Sequence, residues 1–96
     1  MKISITAIIK SKPDTIEEVK LYLTEMAIHS KKEKACIQYD LHHDKENLRN
    51  FLFHEIWQDE ESLALHNVQP YVRSFINKVP EILSEPVLIY KTEMIA

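Results

Sequence analysis

Glu55, Trp57 and His66 are the side chains whose types and spacing could do chemistry. They belong to one stretch, Phe51-Leu52-Phe53-His54-Glu55-Ile56-Trp57-Gln58-Asp59-Glu60-Glu61-Ser62-Leu63-Ala64-Leu65-His66, which reads as an alternating aromatic strand that turns at once into an amphipathic helix. The only Trp closes the strand, and a His follows nine residues later inside the helix. That layout brings an indole and an imidazole to one mouth of one pocket. An imidazole there can take a proton from a phenolic hydroxyl near neutral pH. The indole offers a flat wall and an N–H donor. Alternation places Glu55 on the face of Phe53 and Trp57, where a carboxylate needs a partner or a shifted pKa.

Each of these residues also has a plainer reading. Trp57 can be core, His66 a solvated helix residue, and Glu55 the partner of Arg73 or a lysine. Leu63 and His66 are three apart on the helix, which sets the imidazole beside an apolar stripe. Tyr39 and Tyr71 offer hydroxyls to a ligand or simply pack, and Phe53 and Phe75 wall a substrate or fill the core, as does Phe51. His42-x-Asp44 with a later His imitates the two-histidine, one-carboxylate iron triad. The spacing is short and common and a strand ends there, so no metal is expected. His29, His43 and His54 read as surface or interface residues, and Cys36 as a small hydrophobe.

Four strands and a set of helices must position these groups. Ile3, Ile5, Ala7 and Ile9 alternate with polar neighbours in a first strand. Pro13-Asp14-Thr15 opens a helix, with Thr15 and Glu18 at capping-box spacing and a stripe of Ile16, Val19, Leu23, Met26 and Ala27. The polar run Ser30 to Lys34 ends it. Cys36 to Asp44 alternates again, Ile37, Tyr39 and Leu41 against Gln38, Asp40 and His42. The third strand runs from Asn50 to Gln58, and Asp59 caps the helix after it. Pro70 restarts a helix whose stripe is Val72, Phe75, Ile76 and Val79; Pro80 and Pro86 bracket a connection, and Pro86 to Met94 forms the last strand. The repeated β-α-β order is the split βαβ layout of an α+β, ferredoxin-like domain spanning residues 1–96. Helices then cover one face of a four-stranded antiparallel sheet. The bare face, with Leu52 and Ile56, calls for a second copy of the chain.

Composition narrows the function classes. A 96-residue chain buries only about 60–65% of its unfolded surface, so its core is thin. A net charge of −3 gives no electrostatic reason to bind nucleic acid or acidic lipid. No apolar run reaches the ~18 residues of a membrane helix, and a single cysteine fits a reducing compartment, so a cytoplasmic location is expected. With no glycine at all, phosphate-cradling glycine loops are excluded, and every turn must form without the residue that most easily takes positive φ.

The strand Cys36-Ile37-Gln38-Tyr39-Asp40-Leu41-His42, then Glu55-x-Trp57 and the helix ending in His66, resembles the antibiotic biosynthesis monooxygenase family across essentially the whole chain. The resemblance implies a dimeric α+β barrel of ferredoxin-like units, each with a pocket between sheet and helices. It also implies cofactor-free oxygenation of a small hydroxylated aromatic, of quinol or anthrone type, by dioxygen. His66, Trp57 and Glu55 would then be catalytic, and Tyr39, Phe53, Tyr71 and Phe75 would bind substrate. No cofactor and no metal are implied. Other branches degrade haem or isomerise a phosphorylated autoinducer, and a non-catalytic ligand-binding dimer is a further alternative. Haem degraders carry an Asn in the first strand where this chain has Thr6, Ala7 and Ile8; a phosphate would call on Lys10, Lys12 or Arg73. Two glycines of the family pattern are Asp14 and Ala35 here, and its second helix histidine is Tyr71. A left-handed Ala35 would cost about 1 kcal/mol, so that turn should take another form.

Overall fold

The computed structural model describes all residues, Met1–Ala96. Strand β1 (Ile3–Lys10) is followed by helix α1 (Ile16–Ser30), strands β2 (Cys36–His43) and β3 (Asn50–Trp57), helices α2 (Glu60–Asn67) and α3 (Pro70–Ile82), and strand β4 (Leu88–Thr92). The sheet order is β2-β3-β1-β4, every pair antiparallel. This is the α+β, ferredoxin-like arrangement. Period-two alternation gives the sheet two unlike faces. Ile5, Ala7 and Ile9 of β1, Tyr39 of β2, and Phe51, Phe53, Glu55 and Trp57 of β3 are buried on one of them. The buried helix residues Val19, Leu23, Met26, Val72 and Phe75 complete that core.

Several local expectations change. Thr15 does not cap α1 through its side chain; its hydroxyl donates instead to the Ile82 carbonyl at 2.6 Å, tying the start of α1 to the end of α3. A β-bulge between Cys36 and Gln38 breaks the alternation of β2, which leaves Ile37 half exposed while Tyr39 is buried. Pro80 lies inside the last turn of α3 rather than in the connection, and Ile76 is half exposed where it borders the cavity. The carbonyl that loses its partner to Pro80 belongs to that exposed residue, so water can satisfy it. The last strand is shorter than its apolar sequence, because only Leu88 to Thr92 pair with β1.

The turns form without any positive φ, at Ala35 as elsewhere. In the β2–β3 loop Asp44 and Asn47 accept backbone N–H groups from Glu46 and Arg49 through their side chains. After α1, successive tight turns carry the chain onward: Lys32 N–H donates to His29, Glu33 N–H to Ser30 and Cys36 N–H to Glu33. This glycine-free turn sets Glu33 where the site needs it.

Candidate functional site

Register lays the site floor out as a row across the sheet. Tyr39 pairs with Glu55, Glu55 with Ile5, and Ile5 with Lys91. The next row runs from Phe53 through Ala7 to Ile89. Met26 of α1, Leu63 and His66 of α2, and Val72 and Phe75 of α3 lean over this floor and enclose a cavity of about 310 Å³. Twelve of its 16 lining residues are hydrophobic, so a ligand there is held mainly by apolar contact.

His66 reaches the cavity because of how α2 begins. The Asp59 carboxylate accepts the Ser62 N–H at 2.8 Å and the Ser62 hydroxyl at 2.7 Å, which fixes the helix phase so that Leu63 and His66 face inward. The imidazole is only 3% exposed. Its Nδ1 lies 2.7 Å from Oε2 of Glu33, and the Tyr71 hydroxyl donates to that same carboxylate oxygen. With Nδ1–H directed at Glu33, the lone pair is on Nε2, since the polar contacts of the ring are made at Nδ1. Burial holds the His66 pKa below its ordinary 6.5, although the hydrogen bond and charge of Glu33 pull the other way. Burial, aided by the hydrogen bond to Glu33, pushes the Tyr71 phenol up and keeps it a donor.

Glu55 behaves differently although it shares the cavity. The Trp57 indole N–H donates to its Oε1 at 2.9 Å, and no lysine or arginine pairs with it. Burial raises the Glu55 pKa to about 7, the Trp57 hydrogen bond opposing and the charge of Glu33 adding to the rise. A neutral imidazole and a protonated carboxyl therefore coexist just below pH 7. That is a base and an acid in one apolar chamber.

The residues singled out in the sequence divide into three groups. His66, Glu55, Tyr39, Phe53 and Phe75 line the cavity. Trp57 does not line it; the indole is fully buried behind the site, its ring 4.4 Å from that of His66. It braces the imidazole and holds Glu55 rather than walling the substrate. Tyr71 is also absent from the lining, because α3 directs it to the far side of His66, beside a shallow hollow shared with Tyr22 and His29. Arg73 is exposed, Lys10 pairs with Glu85 and Lys12 with the Pro80 carbonyl, so none of the cations considered for phosphate lines the cavity. His42 and His43 do not join Asp44 in a metal-holding cluster: His43 stacks on Phe51, and His42 meets His54 on the bare face. Burial raises the Cys36 pKa to about 11, which keeps the thiol protonated.

Glu33 is the functional candidate that sequence reasoning missed. It is the one acid in the run Lys31-Lys32-Glu33-Lys34, which has the pattern of a solvated turn, and its partner lies 33 residues away. Only the chain path after α1 folds it back over His66. Lys91 was missed for a similar reason, since an exposed edge-strand lysine has no local signature.

Known proteins place this arrangement. The sequence profile described as "Antibiotic biosynthesis monooxygenase" matches residues 3–78. A Bacillus subtilis protein, YcnE, whose name marks it as a candidate monooxygenase, is 33% identical over 92 residues, covering 96% of this chain and 97% of its own. An uncharacterized Synechocystis protein, sll1783, is 37% identical over 86 residues, 86% of this chain; the match spans only 58% of that relative. The crystal structure of PA3566 from Pseudomonas aeruginosa superimposes with a TM-score of 0.93 at 26% identity, covering 99% of this chain and 95% of the other. Rv0793 from Mycobacterium tuberculosis shares the fold with a TM-score of 0.92 at 20% identity, covering 100% and 97%. No helix of the chain is long and apolar enough to cross a membrane.

Proposed function

Because the chain belongs to the antibiotic biosynthesis monooxygenase family, we propose that it oxygenates a small hydroxylated aromatic of quinol or anthrone type with dioxygen and without a cofactor. The observation that carries this reading is the Glu33–His66 pair, 2.7 Å apart, whose imidazole also faces an apolar cavity. Nε2 of neutral His66 takes the phenolic proton, and Glu33 stabilises the imidazolium that forms. The electron-rich anion reduces dioxygen, and a carbon–oxygen bond forms to give a hydroperoxide. Loss of water from it leaves a new carbonyl, so one oxygen enters the product and the other leaves as water. The substrate supplies all four electrons that the two oxygen atoms accept, since the carbon that becomes the carbonyl gives up two in forming the hydroperoxide and two as water leaves. Protonated Glu55 donates to the developing oxyanion or the departing hydroxide, and the apolar walls keep water from competing.

Tyr39, Phe53 and Phe75 contribute substrate contact, while Trp57 and Tyr71 hold the acid and the base in place. A second copy of the chain covers the bare sheet face, where Leu88 and Tyr90 are exposed and Ile8, Leu52 and Ile56 only half-buried. The lone, unpaired Cys36 fits work in the cytoplasm.

Oxygen uptake over a panel of quinols and anthrones tests the reaction. His66→Ala should lower the rate by about 10²–10⁴-fold, the usual contribution of a positioned general base. Uptake by the wild type that merely equals that of the variant would exclude His66 as the base.

A further inference from the structure

The floor of the cavity is chemically graded from one side to the other. Glu55 and His66 stand at one end, and Lys91 at the other is the one lysine or arginine on the lining. Glu55 and Lys91 occupy the same cross-sheet row with Ile5 between them. Two strand spacings of ~4.8 Å set their backbones about 10 Å apart. Ile5 and Ala7 form the apolar floor between those ends, under Leu63, Val72 and Phe75.

Without a ligand the Lys91 ammonium binds both carboxylate oxygens of Glu60, at 3.0 and 3.2 Å, across the gap from β4 to the start of α2. Both side chains are more than half exposed, so solvent screens this pair and it exchanges readily for another carboxylate. A ligand anion brought to the rim by apolar contact would meet a lysine whose present partner is easily displaced.

We infer that Lys91 selects substrates bearing a carboxylate on the side of the ring system opposite the reacting hydroxyl. The class is an acidic hydroxyaromatic of about two fused rings, with the hydroxyl at His66, the rings over Ile5 and Ala7, and the carboxylate on Lys91. A single ammonium with Glu60 beside it suits one negative charge and not a phosphate dianion, which would call for more than one cation. The inference deepens the proposed oxygenase reading and assigns its substrate class.

Calorimetric titration tests it without requiring turnover. The probes are a hydroxynaphthoate with hydroxyl and carboxylate on opposite rings, and the matching uncharged carboxamide. Wild-type protein should bind the acid about three- to fivefold more tightly than the amide. Lys91→Met keeps the aliphatic stem and should erase that preference. Glu60→Gln releases the ammonium and should enlarge it, while amide affinity stays within about twofold in all three proteins. Equal affinity for the two probes in the wild type, binding of neither, or a preference that survives Lys91→Met would overturn the inference. If the preference follows Lys91 but no quinol drives oxygen uptake, only the oxygenase reading falls. If uptake occurs with indifference to the carboxylate, only the substrate class falls.

Discussion

The two faces of β3 are built from alternate residues of one strand and have opposite characters. Phe51, Phe53, Glu55 and Trp57 lie beneath the helices, and the polar members of that set are buried and hydrogen-bonded to each other. Leu52, His54 and Ile56 face the side with no helix, where His54 meets the edge of His42 at 5.3 Å and Leu52 lies opposite Ile8. Ile8 in turn pairs with Leu88, so an apolar strip crosses three strands without cover. The contrast separates two tasks that one small sheet performs. Enclosure by helices tunes acid–base groups; the uncovered apolar strip is suited to a partner of the same kind.

The bare face gives the largest expected effect. If a second copy seats on Leu52, Leu52→Glu places an unpaired charge in that interface at a cost of about 3–5 kcal/mol. Analytical ultracentrifugation should then show a wild-type dimer and a monomeric variant at the same concentration. A monomeric wild type would remove the assembly half of the comparison.

On the covered face, Glu55→Gln should remove a pH-dependent penalty of roughly 3 kcal/mol. The folded-state pKa of Glu55 is raised from 4.5 to about 7. Below 4.5 the carboxyl is protonated in both the folded and unfolded states and costs nothing. Between 4.5 and about 7 only the unfolded chain ionises, so stability falls as pH rises, and above about 7 the whole penalty is present. Denaturation at pH 5 and pH 8 should therefore show Glu55→Gln gaining on the wild type at the higher pH. Parallel curves at the two pH values would mean the Glu55 carboxyl is not buried as described.

Glu33→Gln tests how the base is held, and a loss of about ten- to a hundredfold in rate is expected. The amide oxygen can still accept from Nδ1, but the charge is gone. If His66 is the base and Glu55 the acid, as proposed, the rate rises with pH as His66 loses its proton and falls as Glu55 ionises near pH 7. Glu33 raises both of these pKa values. Its removal should move both limbs of the pH–rate profile to lower pH. A lower rate with limbs unmoved would reduce Glu33 to a packing role.

The sheet, the order of the elements and the inward phase of His66 were all legible, because they follow from period two in the strands and an N-cap at Asp59. The family pattern located the cavity for the same reason. What escaped was every contact made over long sequence separation. Glu33 reaches His66 only after the chain has turned back under α1, and Lys91 joins the row of Glu55 only through pairing with β1. Trp57 shows the other limit. Alternation correctly put it on the inner face, but period two cannot distinguish a cavity wall from the layer behind it.

That distinction yields the smallest and most discriminating test. A wall residue replaced by Phe would alter substrate affinity. Trp57 instead acts on Glu55, donating a hydrogen bond that lowers the carboxyl pKa against the effect of burial. Trp57→Phe should cost about 1 to 2 kcal/mol of stability for the lost hydrogen bond. It should also let the Glu55 pKa climb further, so the alkaline limb of the pH–rate profile moves to higher pH. The acid limb should move less, because Phe keeps an aromatic ring against His66 and leaves its Glu33 partner in place. Glu33→Gln and Trp57→Phe thus push the alkaline limb in opposite directions through the same carboxyl. A Trp57→Phe profile that keeps both limbs while KM rises would return the indole to the substrate wall.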